Sequence, residues 1–388
     1  MIIEAAHKLS FVNEYYFSRK LKEIRTLQEQ GKPILNLGIG NPDMAPSNET
    51  IQALISSAQR SNTHGYQSYI GIPALRNAMS TWYAATYQVS LDSDTEILPL
   101  LGSKEGITHI SQAFLNPGDK VLIPNPGYPT YESATRLAGG IPVYYNLLES
   151  NGWTPDFTDI DEEDLKTAKL LWINYPNMPT GTKGNTAMFE KVIELANKYN
   201  ILIVNDNPYS LVLNEGIPVS IFQIDGSKEV CIELNSLSKS HNMAGWRIGM
   251  LCGAKDYVAT ILKVKSNVDS GMFLPMQEAA VEAFSNSVTW HQERNEVYVK
   301  RRILAYAIMD ALGCTYDTNQ VGMFLWAKIP NAYKDSGELA DLVLYDADVF
   351  ITPGFIFGSN GARYLRISLC SPEEMLTEAL RRIKMLSL

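Results

Sequence analysis

Lys239 stands in the run Ser236-Leu237-Ser238-Lys239-Ser240-His241-Asn242-Met243-Ala244-Gly245-Trp246-Arg247-Ile248-Gly249. An amine between two serines, with an arginine eight residues on, suits a lysine that lies against a phosphorylated ring. Such a lysine would form a Schiff base with an aldehyde cofactor. Ser236, Ser238 and Arg247 would hold the phosphate, Arg247 through two parallel hydrogen bonds. Gly245 and Gly249 let the backbone pass close by. The plainer reading is an exposed loop lysine with unrelated neighbours. A bare SxSK matches by chance often enough that the case rests on further runs.

Five other runs carry suitable groups. Gly102-Ser103-Lys104-Glu105-Gly106 follows an apolar run and opens a helical one. Its free N–H groups and the Ser103 hydroxyl would bind a phosphate, or simply cap the helix. It lacks the GxxxxGK[ST] spacing, and Gly38-Ile39-Gly40-Asn41-Pro42 lacks the third glycine of a dinucleotide loop. Tyr128, in Pro126-Gly127-Tyr128-Pro129-Thr130-Tyr131, would stack on a planar heterocycle or pack as a turn residue. Asn205-Asp206-Asn207-Pro208-Tyr209 ends a strongly apolar run. There Asp206 would hold a proton on a pyridine nitrogen, turning the ring into an electron sink, or cap a helix. Tyr209 would donate to the ring's phenolate oxygen. Tyr175-Pro176-Asn177-Met178-Pro179-Thr180-Gly181 reads as a tight turn. Arg366 sits in the apolar Tyr364-Leu365-Arg366-Ile367-Ser368, where burial calls for an anion: a substrate carboxylate or an internal acid.

These runs need a scaffold. Residues 14–30 read as a helix stopped by Gly31. Ser47 caps a helix running to about Ala58, and another covers 73–88. Buried strands are expected at 96–101, 120–124, 141–145, 169–174, 201–205, 230–234 and 247–252. Helices near 104–116, 129–138, 184–199 and 254–266 separate most of them. The alternation predicts a largely parallel sheet covered on both faces, with functional loops at the strands' carboxyl ends. Beyond 274 the pattern changes: 275–312 carries few breakers and reads as one long helix, straight or kinked, followed by a strand at 322–329, a helix at 336–345, short strands at 349–352 and 363–369, and a helix at 372–386.

Hydrophobic residues make up 45% of the 388-residue chain and charged residues 19%. That charged share is below the usual value of about 25% and fits a large core or a buried subunit interface. The net charge of -9 argues against nucleic acid as a partner. No apolar stretch is long enough for a membrane span. Cys231, Cys252, Cys314 and Cys370 are widely spaced and read as reduced, buried thiols. The five histidines show no metal-ligand spacing, so no metal is expected. The start of the chain lacks a signal-peptide pattern, and a cytoplasmic location is expected.

Together these runs resemble the class I/II aminotransferases, the pyridoxal-phosphate-dependent enzymes of fold type I (the aspartate aminotransferase superfamily), from about Leu35 to about Ser368. Asp206 lies 33 residues before Lys239, and Arg247 lies 8 after, in the family's order and spacing. The resemblance implies an α/β chain with a large domain, 46–285, built on a mostly parallel seven-stranded sheet between helices. Residues 1–45 and 286–388 would form a smaller α+β domain. It implies pyridoxal 5'-phosphate as cofactor, an amino acid and a 2-oxo acid as substrates, and a homodimer with active sites at the interface. By position, Lys239 resembles the Schiff-base lysine and proton shuttle, Asp206 the pyridine-nitrogen partner and Tyr209 the donor to the ring oxygen. Tyr128 resembles the stacking aromatic. Ser103, Lys104 (through its backbone N–H), Ser236, Ser238 and Arg247 resemble the phosphate cradle. Tyr66 and Ser270 resemble residues that reach the neighbouring subunit's phosphate. Gly40 and Arg366 resemble the substrate-carboxylate site. One departure stands out: the family's Asn-Pro-Thr-Gly turn reads Met178-Pro179-Thr180-Gly181. Asn177 or Asn174 would then replace the missing amide. The alternative activity on this fold is a β-lyase of the cystathionine or cysteine-S-conjugate type.

Overall fold

The computed structural model describes residues 3–12 and 16–386. Among the described residues, twelve strands form three sheets: β1 (Leu35–Asn36), β2 (Ile97–Leu100), β3 (Lys120–Asn125), β4 (Ile141–Asn146), β5 (Ala168–Ile173), β6 (Leu202–Asp206), β7 (Cys231–Ser236), β8 (Gly249–Gly253), β9 (Phe324–Lys328), β10 (Val349–Phe350), β11 (Thr352–Pro353) and β12 (Tyr364–Ser368). The central sheet has seven strands in the order β2-β8-β7-β6-β5-β3-β4. All of its neighbouring pairs are parallel except those of β8, which runs antiparallel to both β2 and β7. Every apolar run expected as a strand of this sheet is one.

The sheet is buried on both faces because its strands are apolar at successive positions. In β5, Leu170 and Trp172 join the core on one face, and Leu171 and Ile173 join the core on the other. This is the pattern of a sheet wrapped by crossover helices. Those helices are Ser103–Phe114, Pro129–Leu137, Thr186–Tyr199 and Lys255–Lys265. Ser47 Oγ caps Asn48–Ala58 by accepting from Thr50 N at 3.3 Å, as its position predicts.

A third apolar cluster joins the N-terminal helix Tyr16–Glu29, through Phe17 and Ile24, to Tyr298, Ile308, Leu344 and Leu365 of the C-terminal part. Residues 14 and 15 of the helix expected there lie outside the described residues. β1 pairs in parallel with β10, so Leu35 meets Val349. β9, β12 and β11 form a small antiparallel sheet.

Two expectations need correction. The long helix over 275–312 is two helices, Leu274–Ala283 and Val288–Ala311. Ser287 Oγ accepts from Trp290 N at 3.2 Å, so the serine caps a new helix rather than continuing the old one. The strand expected at 349–352 splits: β10 pairs with β1, and β11 pairs with β12 in a different sheet.

Candidate active site

The loops after β2, β3, β5, β6 and β7 leave the central sheet at one edge, because these strands run in the same direction. The reversed direction of β8 brings its amino-terminal approach, and with it Arg247, to that same edge. A cavity of about 760 Å³ opens there. Gly40, Ser103, Lys104, Tyr128, Asp206, Tyr209, Ser236, Ser238, Lys239, Arg247 and Arg366 all line it.

One end of the cavity is built for an anion. Ser103 is the first residue of the helix Ser103–Phe114 and follows Gly102, whose φ is 86°. A Cβ on Gly102 would lie 2.1 Å from Arg247 Nη2, and one on Gly249 would lie 2.7 Å from Ser103 N. Gly249 therefore excludes a side chain, whereas one on Gly102 would be strained by its φ and would push the Arg247 guanidinium aside. Arg247 donates through Nη1 to Ala244 O at 3.0 Å and through Nη2 to Leu101 O at 3.3 Å, which aims the guanidinium across the helix start. Ser236 Oγ accepts from Ser238 N at 3.1 Å and holds the next turn of backbone. Burial, and then Arg247, depress the Lys104 ammonium below its usual range.

The middle of the cavity carries the acid and the amine. Asp206, at the end of β6, is buried. Its Oδ2 accepts from Tyr131 Oη at 2.9 Å, while its Oδ1 is buried with no hydrogen-bond partner among the described residues. Burial pushes this carboxyl up to about 7, against the opposing pull of the Tyr131 hydrogen bond. Lys239 Nζ donates to Gly40 O at 2.5 Å. Burial is the main force lowering its ammonium below the usual range; Cys370 opposes it, and Arg366 and Arg247 add to it. Tyr209 is buried edge-on to Phe324, and burial raises its phenol.

The other end is a guanidinium in an apolar shell. Arg366 of β12 is 4% exposed. Its Cζ lies 3.9 Å from the Phe324 ring centre and 4.7 Å from that of Phe357. Nη2 donates to Gly38 O at 2.8 Å, and Nη1 lies 3.2 Å from Met178 Sδ. The position where the turn departs from the usual asparagine thus places a weak acceptor against the arginine. A Cβ on Gly40 would lie 2.2 Å from Phe324 Cζ, so this backbone approach also requires glycine.

The structure does not bring every expected residue to the cavity wall. Asn177 is not part of it. Its Nδ2 donates to Asn174 O at 3.1 Å, and its Oδ1 accepts from Thr180 Oγ1 at 2.7 Å, so the turn itself uses the side chain. Asn174 does line the cavity, with Oδ1 accepting from Met178 N at 2.8 Å and Nδ2 donating to Asp206 O at 2.5 Å. Tyr66 is 92% exposed, Ser270 is exposed, and neither lines this chain's own cavity. Their loops touch: a Cβ on Gly271 would lie 2.4 Å from Gln67 O.

Sequence reasoning missed several lining residues. Phe17, Ser18 and Leu21 come from the N-terminal helix, and Phe324 and Phe357 from the C-terminal part. Nothing local marks these residues. Tyr131 is different: it stands three residues past Tyr128 in the run already singled out, nearly one turn along the same helix.

The family described as "Aminotransferase class I and II" matches residues 32–383. The LL-diaminopimelate aminotransferase of Aquifex aeolicus is 39% identical over 388 residues, covering 100% of both chains. That of Halothermothrix orenii is 39% identical, covering 98% of each. Among solved structures, apo-BacF from Bacillus subtilis superposes with a TM-score of 0.95 at 34% identity, over 100% of this chain and 99% of that one. A single mutant of the Thermus thermophilus aspartate aminotransferase gives a TM-score of 0.89 at 25% identity, over 98% and 99%. The relatives from Aquifex, Halothermothrix and Thermus are named aminotransferases, which favours that activity over the β-lyase alternative. The chain belongs to the class I and II aminotransferases, pyridoxal-phosphate-dependent enzymes of fold type I that move an amino group from an amino acid to a 2-oxo acid.

Proposed function

We propose that Lys239, Asp206 and Arg366 form the working centre of this transaminase and that its amino acid carries a second charged group far from the α-carbon, as diaminopimelate does. The observation that carries the reading is that these three side chains face one cavity although they come from β7's loop, β6 and β12. The residues suit the cofactor. The unpartnered Asp206 Oδ1 is the acceptor that a protonated ring nitrogen needs. The glycine-cleared helix start beside Arg247 suits a phosphate.

Pyridoxal phosphate would supply an aldehyde for the Lys239 amine and a ring that accepts electrons. The chain supplies the rest. Ser103, the Lys104 N–H, Ser236, Ser238 and Arg247 hold the phosphate. Tyr128 covers one ring face, and Tyr209, with the second N–H of Asn174, serves the ring oxygen that Met178 cannot. Arg366 and the Gly40 backbone orient the substrate's α-carboxylate, and the depressed Lys239 amine takes and returns the α-proton. Exposed Tyr66 and Ser270 reach the cavity of a second copy, so the working unit is a homodimer. A division into 46–285 and 1–45 with 286–388 is supported by the pairing of β1 with β10. A cytoplasmic location accords with the absence, among the described residues, of a helix able to cross a membrane. The substrate class rests on the names of the relatives.

An absorbance spectrum of the purified protein, mixed in turn with single amino acids, tests the reading. A cofactor band that shifts to shorter wavelength with diaminopimelate but not with alanine or phenylalanine is the expected result. A shift with aromatic donors alone would overturn the substrate class. The absence of a band after added pyridoxal phosphate would overturn the site.

A further inference from the structure

Resting on the assignment of Asp206 above, we propose that Tyr131 is a positioning residue that decides on which side of the Asp206–ring nitrogen pair the shared proton sits. The argument begins with the two oxygens of one carboxylate. Oδ2 accepts from Tyr131 Oη at 2.9 Å, and Oδ1 has no partner among the described residues. The carboxylate is therefore one-sided, with one oxygen held from behind and the other left for whatever enters the cavity.

Tyr131 is built to hold still. It is fully buried in the helix Pro129–Leu137. Its ring stacks on Trp172 with centres 4.9 Å apart and planes 9° from parallel. The Tyr128 ring stands edge-on to it at 5.6 Å. Trp172 belongs to β5, an inner and fully paired strand of the central sheet, so the phenol is braced against the core. The backbone of Asp206 is fixed in turn by Asn174, which donates to its carbonyl. Neither partner has room to swing.

A proton placed between a carboxylate and a pyridine nitrogen has two homes. A hydrogen bond donated to the carboxylate stabilises its ionised form over its acid form. Tyr131 therefore drives the proton onto the ring, which is the state that withdraws electrons. A hydrogen bond to a charged group biases such an equilibrium by about tenfold or more. Tyr131→Phe removes the donor and leaves the ring, its stacking and the shape of the core in place.

The test uses the holoenzyme reconstituted with pyridoxal phosphate carrying nitrogen-15 in the ring, whose resonance separates the protonated from the bare nitrogen. In the wild type the proton stays on the ring across neutral pH, and Asp206→Asn abolishes it. In Tyr131→Phe the ring nitrogen resonance moves toward that of the bare nitrogen at the same pH, a shift of about tenfold in the ratio of ring-held to carboxylate-held proton, while kcat falls and KM holds. A wild-type nitrogen without its proton overturns the reading of Asp206, and this proposal with it. A protonated wild type with an unshifted Tyr131→Phe overturns the role of Tyr131 alone. Thermal melting confirms that the variant folds. Should it not fold, 4-aminophenylalanine at position 131, a weaker donor of nearly the same shape, moves the resonance toward the bare nitrogen, and an unmoved resonance overturns the proposal.

Discussion

Arg366 shows how much a single residue's surroundings matter. Its guanidinium is buried among Phe324, Phe357 and the Met178 thioether, with the Gly38 carbonyl on one edge. A substrate carboxylate would meet it with little competing water, where charge-assisted pairs are strongest. Arg366→Ala is expected to raise KM for both the amino acid and the oxo acid by roughly tenfold to a hundredfold, the worth of such a pair, with a smaller change in kcat. Equal losses in kcat would mean that the arginine acts on the chemistry instead. Asp206 carries a pH prediction for the apoprotein. Burial raises its carboxyl from 3.8 to about 7 in the folded chain. A raised carboxyl favours folding below its unfolded value, near pH 4, and that contribution fades as pH rises through 7. The loss amounts to about 4 kcal/mol at most. Apoprotein melting temperatures should therefore fall between pH 5 and 8 more steeply than those of Asp206→Asn. Parallel curves would show that another group dominates.

At the scale of elements, the decisive feature is the direction of β8. A parallel β8 would have carried Arg247 to the far edge of the sheet, away from Ser103 and Lys239. Its antiparallel course, pairing Ser236 with Gly249, instead closes the end of the cavity proposed for the phosphate. Gly102 completes this end, since its φ of 86° would strain a side chain and one placed there would push the Arg247 guanidinium aside. Gly102→Ala is expected to weaken cofactor affinity by at least about tenfold through displacement of Arg247, with backbone strain of about 1 kcal/mol added to the folded state. Cofactor titration of the apoprotein, read beside its melting temperature, separates the two effects. The break at Ser285-Asn286-Ser287 belongs to this scale as well. The scarcity of helix breakers carried the expected helix across it, yet a serine hydroxyl placed to cap the next turn ended it.

The whole molecule raises the question of the second copy. Tyr66 and Ser270 lie on touching loops at the surface, outside their own cavity. If each completes a neighbour's site, two inactive variants can repair one another. Mixing Lys239→Ala with Tyr66→Ala under conditions that exchange subunits should restore on the order of a quarter of the sites, since half of the dimers are mixed and each mixed dimer has one intact site. Failure of the mixture to exceed either parent would place Tyr66 outside the catalytic unit.

Read alone, the chain determined the strands of its central sheet, its class and most of the polar groups that line the cavity. Buried strands are continuous apolar runs, and the functional loops are short polar interruptions after them, so both are written locally at Lys120–Asn125, Ala168–Ile173 and Ser236–Lys239. What the chain could not disclose was every fact that depends on a distance between remote residues. Asn174 and Asn177 look equivalent in sequence, yet the turn consumes one amide and presents the other. Phe17 and Leu21 belong to an ordinary amphipathic helix until the third core folds them over the cavity. Tyr131 became part of the site only when β5 and β6 brought Trp172 and Asp206 to its two ends. Local patterns specify elements because propensity and burial act over a few residues. The tertiary structure alone assigns partners, because a hydrogen bond or a cavity wall depends on separation in space.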